Sequence, residues 1–341
     1  MKFPADIVGR LRPRYEGRSV CVTGGAGFIG GHLVDALLSL GASICVIDDL
    51  SNATLKHLGE LIELEPERVR FLHASILDDE ALADAVAGAQ VVFHLAAVGS
   101  VPRSIKEPQR TWGVNATGTV RVCEAARAAR AARLVFAASS SAYGDNPQLP
   151  RVESQLAQPL SPYAASKLAG EEVLAAWARA FGLSTVSLRF FNVFGPRQPA
   201  DSQYAAVVSA FTRKILAGEP PVIFGDGNQT RDFTFVSNAV LALLLAGAAE
   251  SPLAGEVVNV GTGRRVTIAE LARLLADRCA APHLAPRFEP ARPGDVRHSL
   301  ADISRARELL GYQVIASLED GLDETVAWFR RAAAARSERP G

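Results

Sequence analysis

Residues Ser19–Gly30 read SVCVTGGAGFIG, and the fold follows from how this stretch is read. Its first part, Ser19–Gly24, is a short apolar run of the kind that forms a strand buried on both faces. A helical pattern follows from Gly27 to Leu40. Glycines at 24, 27 and 30 suit a tight strand-to-helix turn. The first turns the chain, the second lets backbone approach an anionic group, and the third lets the helix pack closely on the strand. The unpaired N–H groups that open such a helix make a seat for phosphate.

Working outward, strand and helix signals keep alternating. SICVIDD (Ser43–Asp49), VRFLHA (Val69–Ala74), QVVFHLAA (Gln90–Ala97), RLVFAASS (Arg133–Ser140) and STVSLRFF (Ser184–Phe191) read as further strands. Apolar-periodic stretches lie between them, among them Asn115–Ala132 and Pro162–Phe181. Strands apolar on both faces that alternate with helices imply a parallel sheet covered on both sides, with right-handed connections. The expected fold is a Rossmann-type doubly wound α/β sheet over residues 1–195. After Gly195 the alternation breaks and proline and glycine become frequent, as in Pro196–Asp201, Glu219–Pro221 and Ala285–Gly294. Residues 196–341 are therefore expected to form a smaller mixed α/β lobe that binds substrate. Within it, 255–278 (strand Gly255–Gly261, helix Ile268–Arg278) is expected to return to the main sheet, and Ala332–Gly341 to be a fraying tail.

Asp48 closes the second strand about 20 residues past the glycines, where a carboxylate reaches the hydroxyls of an adenosine ribose. A carboxylate there repels an additional 2′-phosphate, so NAD is expected rather than NADP. Glycine turns also occur in α/β proteins that bind no nucleotide; strand, turn, helix and carboxylate together specify the dinucleotide site. Asp49 has the simpler reading of a loop cap.

Bulk composition narrows the class. Lys+Arg and Asp+Glu are equal at 36 each, which gives no sign of a nucleic-acid or polyanion binder. The Ala/Arg-rich run at Ala125–Arg133 is explained by helix propensity and a solvated face. The four cysteines, Cys21, Cys45, Cys123 and Cys279, lack metal or CxxC spacing, and Cys21 and Cys45 sit in apolar runs as small hydrophobes. No metal site is expected. The N-terminal stretch lacks an apolar signal segment, and the longest apolar run, Ala239–Ala249, is too short to span a bilayer. The expectation is a cytoplasmic protein without a membrane partner.

Ser161-Pro162-Tyr163 opens a helix, with Ser161 as N-cap and Pro162 in the first turn. Lys167 follows four residues on, so Tyr163 and Lys167 share a face. Such a pair alone is ordinarily an amphipathic surface. In company with TGGAGFIG, HLAA, SSSAYG, SPYAASK and RFFNVFGPR, in that order, the chain resembles the extended short-chain dehydrogenase/reductase family over nearly its whole length.

The resemblance implies roles. Tyr163 would be the acid/base, Lys167 would lower its pKa and hold the nicotinamide ribose, Ser139 would bond the reacting hydroxyl, and Asn115 would support the active-site helix. A free phenol titrates near 10, so a base at neutral pH needs such cationic help. The NAD site would comprise Gly24, Gly27, Phe28, Ile29, Gly30, Asp48, Asn52, Ile76, Leu95, Ala96, Ala97, Tyr163 and Lys167. Ser75 stands where many family members carry an adenine-contacting aspartate. Ser140 and Ser141 stand where dehydratases of the family carry Asp-Glu and decarboxylases a glutamate, which disfavours both reactions.

The resemblance then implies reversible C4 epimerisation of a UDP-sugar through a 4-keto intermediate. Asn192, Arg231 and Arg292 match diphosphate contacts, and Asp295 a uridine ribose contact. Singly, each arginine is an ordinary surface residue. AAVGSVPRSIKEP, AASSSAYGD and GDVRHSLADIS are most similar to the branch acting on UDP-N-acetylglucosamine. There Ser299 would leave space for an N-acetyl group, with Gly99, Ser100, Ser140 and Gln198 nearby, unless it is only a small loop residue. UDP-glucose or a UDP-hexuronate stays open as substrate, with Arg103 as a cation for the latter. A non-catalytic NAD-binding regulator is the reading from another class. A homodimer through the Asn115–Ala132 and Pro162–Phe181 helices is expected from the family.

Overall fold

The computed structural model describes residues 3–200, 206–291 and 296–337. The helices are α1 (Ala5–Tyr15), α2 (Phe28–Ser39), α3 (Lys56–Leu64), α4 (Asp79–Val86), α5 (Val101–Lys106), α6 (Pro108–Trp112), α7 (Gly118–Ala128), α8 (Pro162–Phe181), α9 (Val207–Leu216), α10 (Val236–Ala248), α11 (Ile268–Arg278), α12 (Ser304–Leu310) and α13 (Leu318–Ser337). A π-helical turn, Gly113–Thr117, joins α6 to α7, and a 3₁₀ turn, Ser140–Tyr143, follows the fifth strand.

Strands β1 (Ser19–Thr23), β2 (Ser43–Asp48), β3 (Val69–His73), β4 (Val91–His94), β5 (Arg133–Ser139), β6 (Thr185–Phe190) and β11 (Ala254–Val260) form one sheet in the order β11-β6-β5-β4-β1-β2-β3. Every pairing in it is parallel. Short pairs lie outside it: β7 (Val193–Phe194) with β10 (Thr234–Phe235), β9 (Thr230–Arg231) with β12 (Val266–Thr267), and β8 (Val222–Phe224) with β13 (Arg287–Glu289).

Alternate residues of each strand feed opposite cores. On one face Val20, Val22, Ile44 and Val46 join Leu33 and Leu37 of α2 and Leu241 and Leu244 of α10. On the other, Cys21, Val92, Leu134 and Phe136 join Leu82 of α4, Val122 of α7 and Leu174 of α8. With both faces covered, most residues of the strands are apolar, which is the doubly wound arrangement. The strand order reverses between β1 and β4, and the crevice beyond their C-terminal ends is where such sheets bind ligands.

The cysteines are free thiols, three of them in strands or helices of the core region. Among the described residues no helix is long and apolar enough to cross a membrane, and no cluster of His, Cys, Asp or Glu gathers as a metal site would.

Several expectations change. Asn115–Ala132 is not one helix: α7 begins at Gly118, and Asn115 sits in the π-turn before it. Gly118 permits this entry, since a Cβ there would lie 2.6 Å from Ile76 Cδ1. Of the expected tail Ala332–Gly341, the part up to Ser337 continues α13, and residues 338–341 lie outside the described residues. Strand β11 lies in the sheet beside β6, but α11 packs on α9 and α13 instead of returning with it. The N-terminal segment forms α1, whose Tyr15 hydroxyl donates to Leu244 O at 2.6 Å in the core. Its proline and arginines masked the Ile7, Leu11, Tyr15 stripe that it buries.

Candidate active site

The turn after β1 is closed on itself. Gly24 holds φ +73°, and a Cβ there would stand 2.6 Å from Ala96 N. A Cβ on Gly30 would lie 2.2 Å from Gly24 O, and one on Gly27 3.2 Å from the same oxygen. No side chain therefore separates the opening of α2 from a ligand, and its first N–H groups are available to a pyrophosphate. Phe28 and Ile29 begin that helix. Asp48 buttresses the turn: Oδ2 accepts from Ala26 N (3.0 Å) and Oδ1 from Leu50 N (2.9 Å). Burial raises its pKa against those two bonds. The cradle thus fits a dinucleotide.

Around it stand the other residues expected at the cofactor. Leu95, Ala96 and Ala97 follow β4, and Ala96 N donates to Thr23 Oγ1 (3.2 Å). Ile76 packs on α7, and Ser75 Oγ accepts from Leu77 N (3.2 Å), shaping the loop after β3. Asn52 accepts a hydrogen bond from Arg103. That arginine also reaches Glu107 (3.3 Å), so its guanidinium is committed to groups of the protein.

Ser161 N-caps α8 by accepting from Ala164 N, and α8 then presents Tyr163, Lys167 and Glu171 one turn apart. Burial raises the Tyr163 pKa, and a hydrogen bond with Ser139 lowers it. Ser139 ends β5, and its Oγ accepts from the Ser141 hydroxyl at 2.8 Å. Lys167 is buried; its Nζ donates to Ala137 O (2.8 Å) and stands 4.7 Å from the centre of the Phe136 ring. Burial pushes its pKa down to about 7, with Glu171 opposing. Glu171 is itself held by Arg189 (2.9 and 2.6 Å), which lies over the Tyr143 ring. The i+8 spacing of Glu171 from Tyr163 was the only trace of this buried pair in the sequence.

A chain of hydrogen bonds runs from the glycine turn to the tyrosine. Thr119 donates its hydroxyl to Asn115 O (2.6 Å), so His94 Nε2, 3.0 Å away, must carry the proton between them. Burial holds His94 neutral, down at about 3, so its Nδ1 accepts from the Thr23 hydroxyl (2.8 Å). Asn115 Oδ1 takes Val98 N (2.8 Å), and Nδ2 donates to Ser166 Oγ (3.0 Å). Ser166 Oγ donates to Tyr163 O (2.8 Å). Thr23, His94, Thr119 and Ser166 escaped the sequence reading because each is an unremarkable residue in its own element.

On the other side of the crevice, Asn192, with φ +27°, and Arg231 line a cavity of about 250 Å³ with Val193, Phe194, Phe224 and Phe233. Arg231 is buried and donates to Thr230 O (2.9 Å). Ser299, 8% exposed, donates its N–H to Thr230 O (3.1 Å), beside the same short strand. Gln198 donates to Val193 O (2.9 Å). Ser100 N-caps α5 directly after Gly99, and Ser140 opens the 3₁₀ turn after Ser139. Arg292 and Asp295 lie outside the described residues.

A doubly wound sheet with a dinucleotide cradle and a Tyr-Lys-Ser group at its switch point defines an NAD-dependent enzyme of Rossmann type. Residues 20–261 match the NAD dependent epimerase/dehydratase family, and the chain belongs to that family. It is 41% identical to a UDP-glucose 4-epimerase of Mycolicibacterium smegmatis, over 91% of this chain and 97% of that one. The solved UDP-N-acetylglucosamine 4-epimerase of Methanobrevibacter ruminantium M1, in complex with UDP-N-acetylmuramic acid, has a TM-score of 0.87 and 37% identity, covering 93% and 99% of the two chains. MoeE5, solved with UDP-glucuronic acid and NAD, has a TM-score of 0.82 and 35% identity, covering 92% and 99%.

Proposed function

We propose that this enzyme, an NAD-dependent UDP-sugar 4-epimerase, acts on UDP-N-acetylglucosamine and its C4 epimer. The observation that carries the reaction type is the group of Tyr163, Ser139 and the buried Lys167 beside the glycine cradle, with Ser140 and Ser141 where elimination would need an acid and a base. When bound, NAD supplies reversible two-electron chemistry at C4 of the sugar. The chain's residues handle the proton. Tyr163 takes the C4 hydroxyl proton as base and returns it to the other epimer. Ser139, relieved of one role by the Ser141 hydroxyl donating to it, keeps its own hydrogen for the reacting oxygen. Lys167, whose Nζ donates to Ala137 O, would hold the nicotinamide ribose and, when charged, would lower the tyrosine's pKa. Asp48 meets the adenosine ribose, and Asn192 and Arg231, with Arg292 and Asp295, hold the UDP.

The relatives divide among acetylated, neutral and uronic sugars at similar identity, so the choice of sugar rests on the pocket. Ser299 is buried, and its N–H is bonded to Thr230 O, next to Arg231, which supports the reading that a small residue here leaves space for an N-acetyl group. Arg103, the cation that a uronate would call on, is paired with Glu107 and Asn52. Turnover of UDP-N-acetylglucosamine, UDP-glucose and their uronates decides this. The expected result is a higher kcat/KM for the acetylated sugar; preference for another sinks the acetylated reading. The same reading includes a cytoplasmic homodimer built on α7 and α8.

A further inference from the structure

The segment after β7 crosses from the nucleotide cavity to the first cofactor helix and is pinned there twice. Pro196 O accepts from His32 Nε2 (2.9 Å), and Arg197 NH2 donates to Asp35 Oδ2 (2.8 Å); His32 and Asp35 are neighbours one turn apart on α2. The other Asp35 oxygen takes His57 Nε2 of α3 at 2.8 Å. Arg197 holds φ +66°, a conformation that non-glycine residues seldom adopt unless their surroundings impose it. The next residue, Gln198, turns back to Val193 O, in the strand that walls the cavity with Asn192 and Phe194. The Asp35 and Arg197 side chains are 26% and 20% exposed, so the pair is partly shielded from solvent. Neither residue touches the cavity itself.

We propose that Asp35 and Arg197 are a positioning pair that docks the substrate-side loop on the cofactor helix and thereby sets affinity for the nucleotide half of the substrate. The inference rests on the UDP-sugar reading of that cavity. Moving the loop off α2 would shift β7 and Asn192 against Arg231, opening the nucleotide site while leaving the glycine cradle intact. The physical reason lies in the anchoring. The Gly24 turn is held by Asp48 and by its own backbone, whereas the loop's connection to α2 runs through side chains of the pair and one histidine.

The test uses the NAD-loaded enzyme and UDP as the probe, by calorimetry, with kinetics on the UDP-sugar it turns over. Asp35→Asn and Arg197→Gln are expected to weaken UDP binding and raise KM by about tenfold, with kcat changed by less than about threefold. Bound NAD per chain stays as in the parent. The charge swap Asp35→Arg with Arg197→Asp is expected to recover most of the UDP affinity. Arg197→Lys keeps the charge without the planar fork, and a smaller loss of UDP affinity is expected from it, so a reading remains if another variant fails to fold. Unchanged UDP affinity in folded single variants, with only a lower melting temperature, overturns the proposal. A parent enzyme that does not bind UDP overturns the UDP-sugar reading, and the proposal with it.

Discussion

Tyr163 enters the site with a phenol that burial pushes above its ordinary range, so its usefulness as a base depends on neighbours. A hydrogen bond with Ser139 lowers its pKa, and Lys167 lies one turn along the same helix, pushed down to about 7 by burial and supported by Glu171. Removing the phenolic oxygen should therefore stop proton transfer without disturbing the cradle that holds the cofactor. Tyr163→Phe is expected to lower kcat by at least about a hundredfold while the NAD released on denaturation stays equal to that of the parent. Parental turnover in that variant would remove the tyrosine from the mechanism. Tyr163, Lys167 and Ser139 were each recoverable from sequence because family motifs flank them. Glu171 and Arg189 were not, since a Glu on a helix and an Arg in a strand look like surface residues until the sheet and α8 close over both.

At the level of elements, α8 was readable to the residue because Ser161, Pro162 and a terminal Gly182 at φ +70° are strong local start and stop signals. The entry to α7 was not. Its π-turn has no local signature, and it exists because Asn115 is held from both sides, by Val98 and by Ser166. Helices α7 and α8 pack on each other, and α5 and α6 lie against α8. Ile105, Trp112 and Phe181 on these helices are exposed, at 61%, 49% and 55%. Phe181 lies on α8, one of the two helices expected to pair, and Ile105 and Trp112 on the helices packed against it; apolar side chains left outward there favour association of two copies. Sedimentation at micromolar concentration is expected to return twice the chain mass, and a monomer there would refute the dimer.

Across the whole molecule, the two buried histidines give a pH dependence whose sign can be worked out. His32 is pushed down to about 4 and His94 to about 3, in both cases chiefly by burial. In the unfolded chain each takes up a proton near pH 6.5. Below that value the unfolded state binds more protons than the folded one, so this contribution to stability is full above pH 6.5. It is lost as pH falls toward 4 and 3, by up to about 1.4 kcal/mol per pH unit for each group. The carboxyls of Glu171 and Asp232, raised by burial, act in the opposite direction. Histidine NMR separates the two: the His32 and His94 rings are expected to stay neutral from pH 8 to 5. A titration of either ring near 6.5 would mean that it is not buried as described.

Sequence by itself determined the sheet, the glycine cradle and the tyrosine helix. Each of these rests on a local rule, whether strand periodicity, a turn that admits no Cβ, or an N-cap followed by a face one turn wide. Only the tertiary structure decided how the pieces are joined. It turned Asp48 onto the turn, ran the line of hydrogen bonds from Thr23 through His94 and Asn115 to Tyr163, committed Arg103 to Asn52 and Glu107, and tied Arg197 to Asp35. These are contacts between residues far apart in the chain. Their partners are chosen by which elements the packed sheet brings together, and no local pattern records that choice. The tyrosine was visible from the chain; what orients it became visible only when the chain was folded.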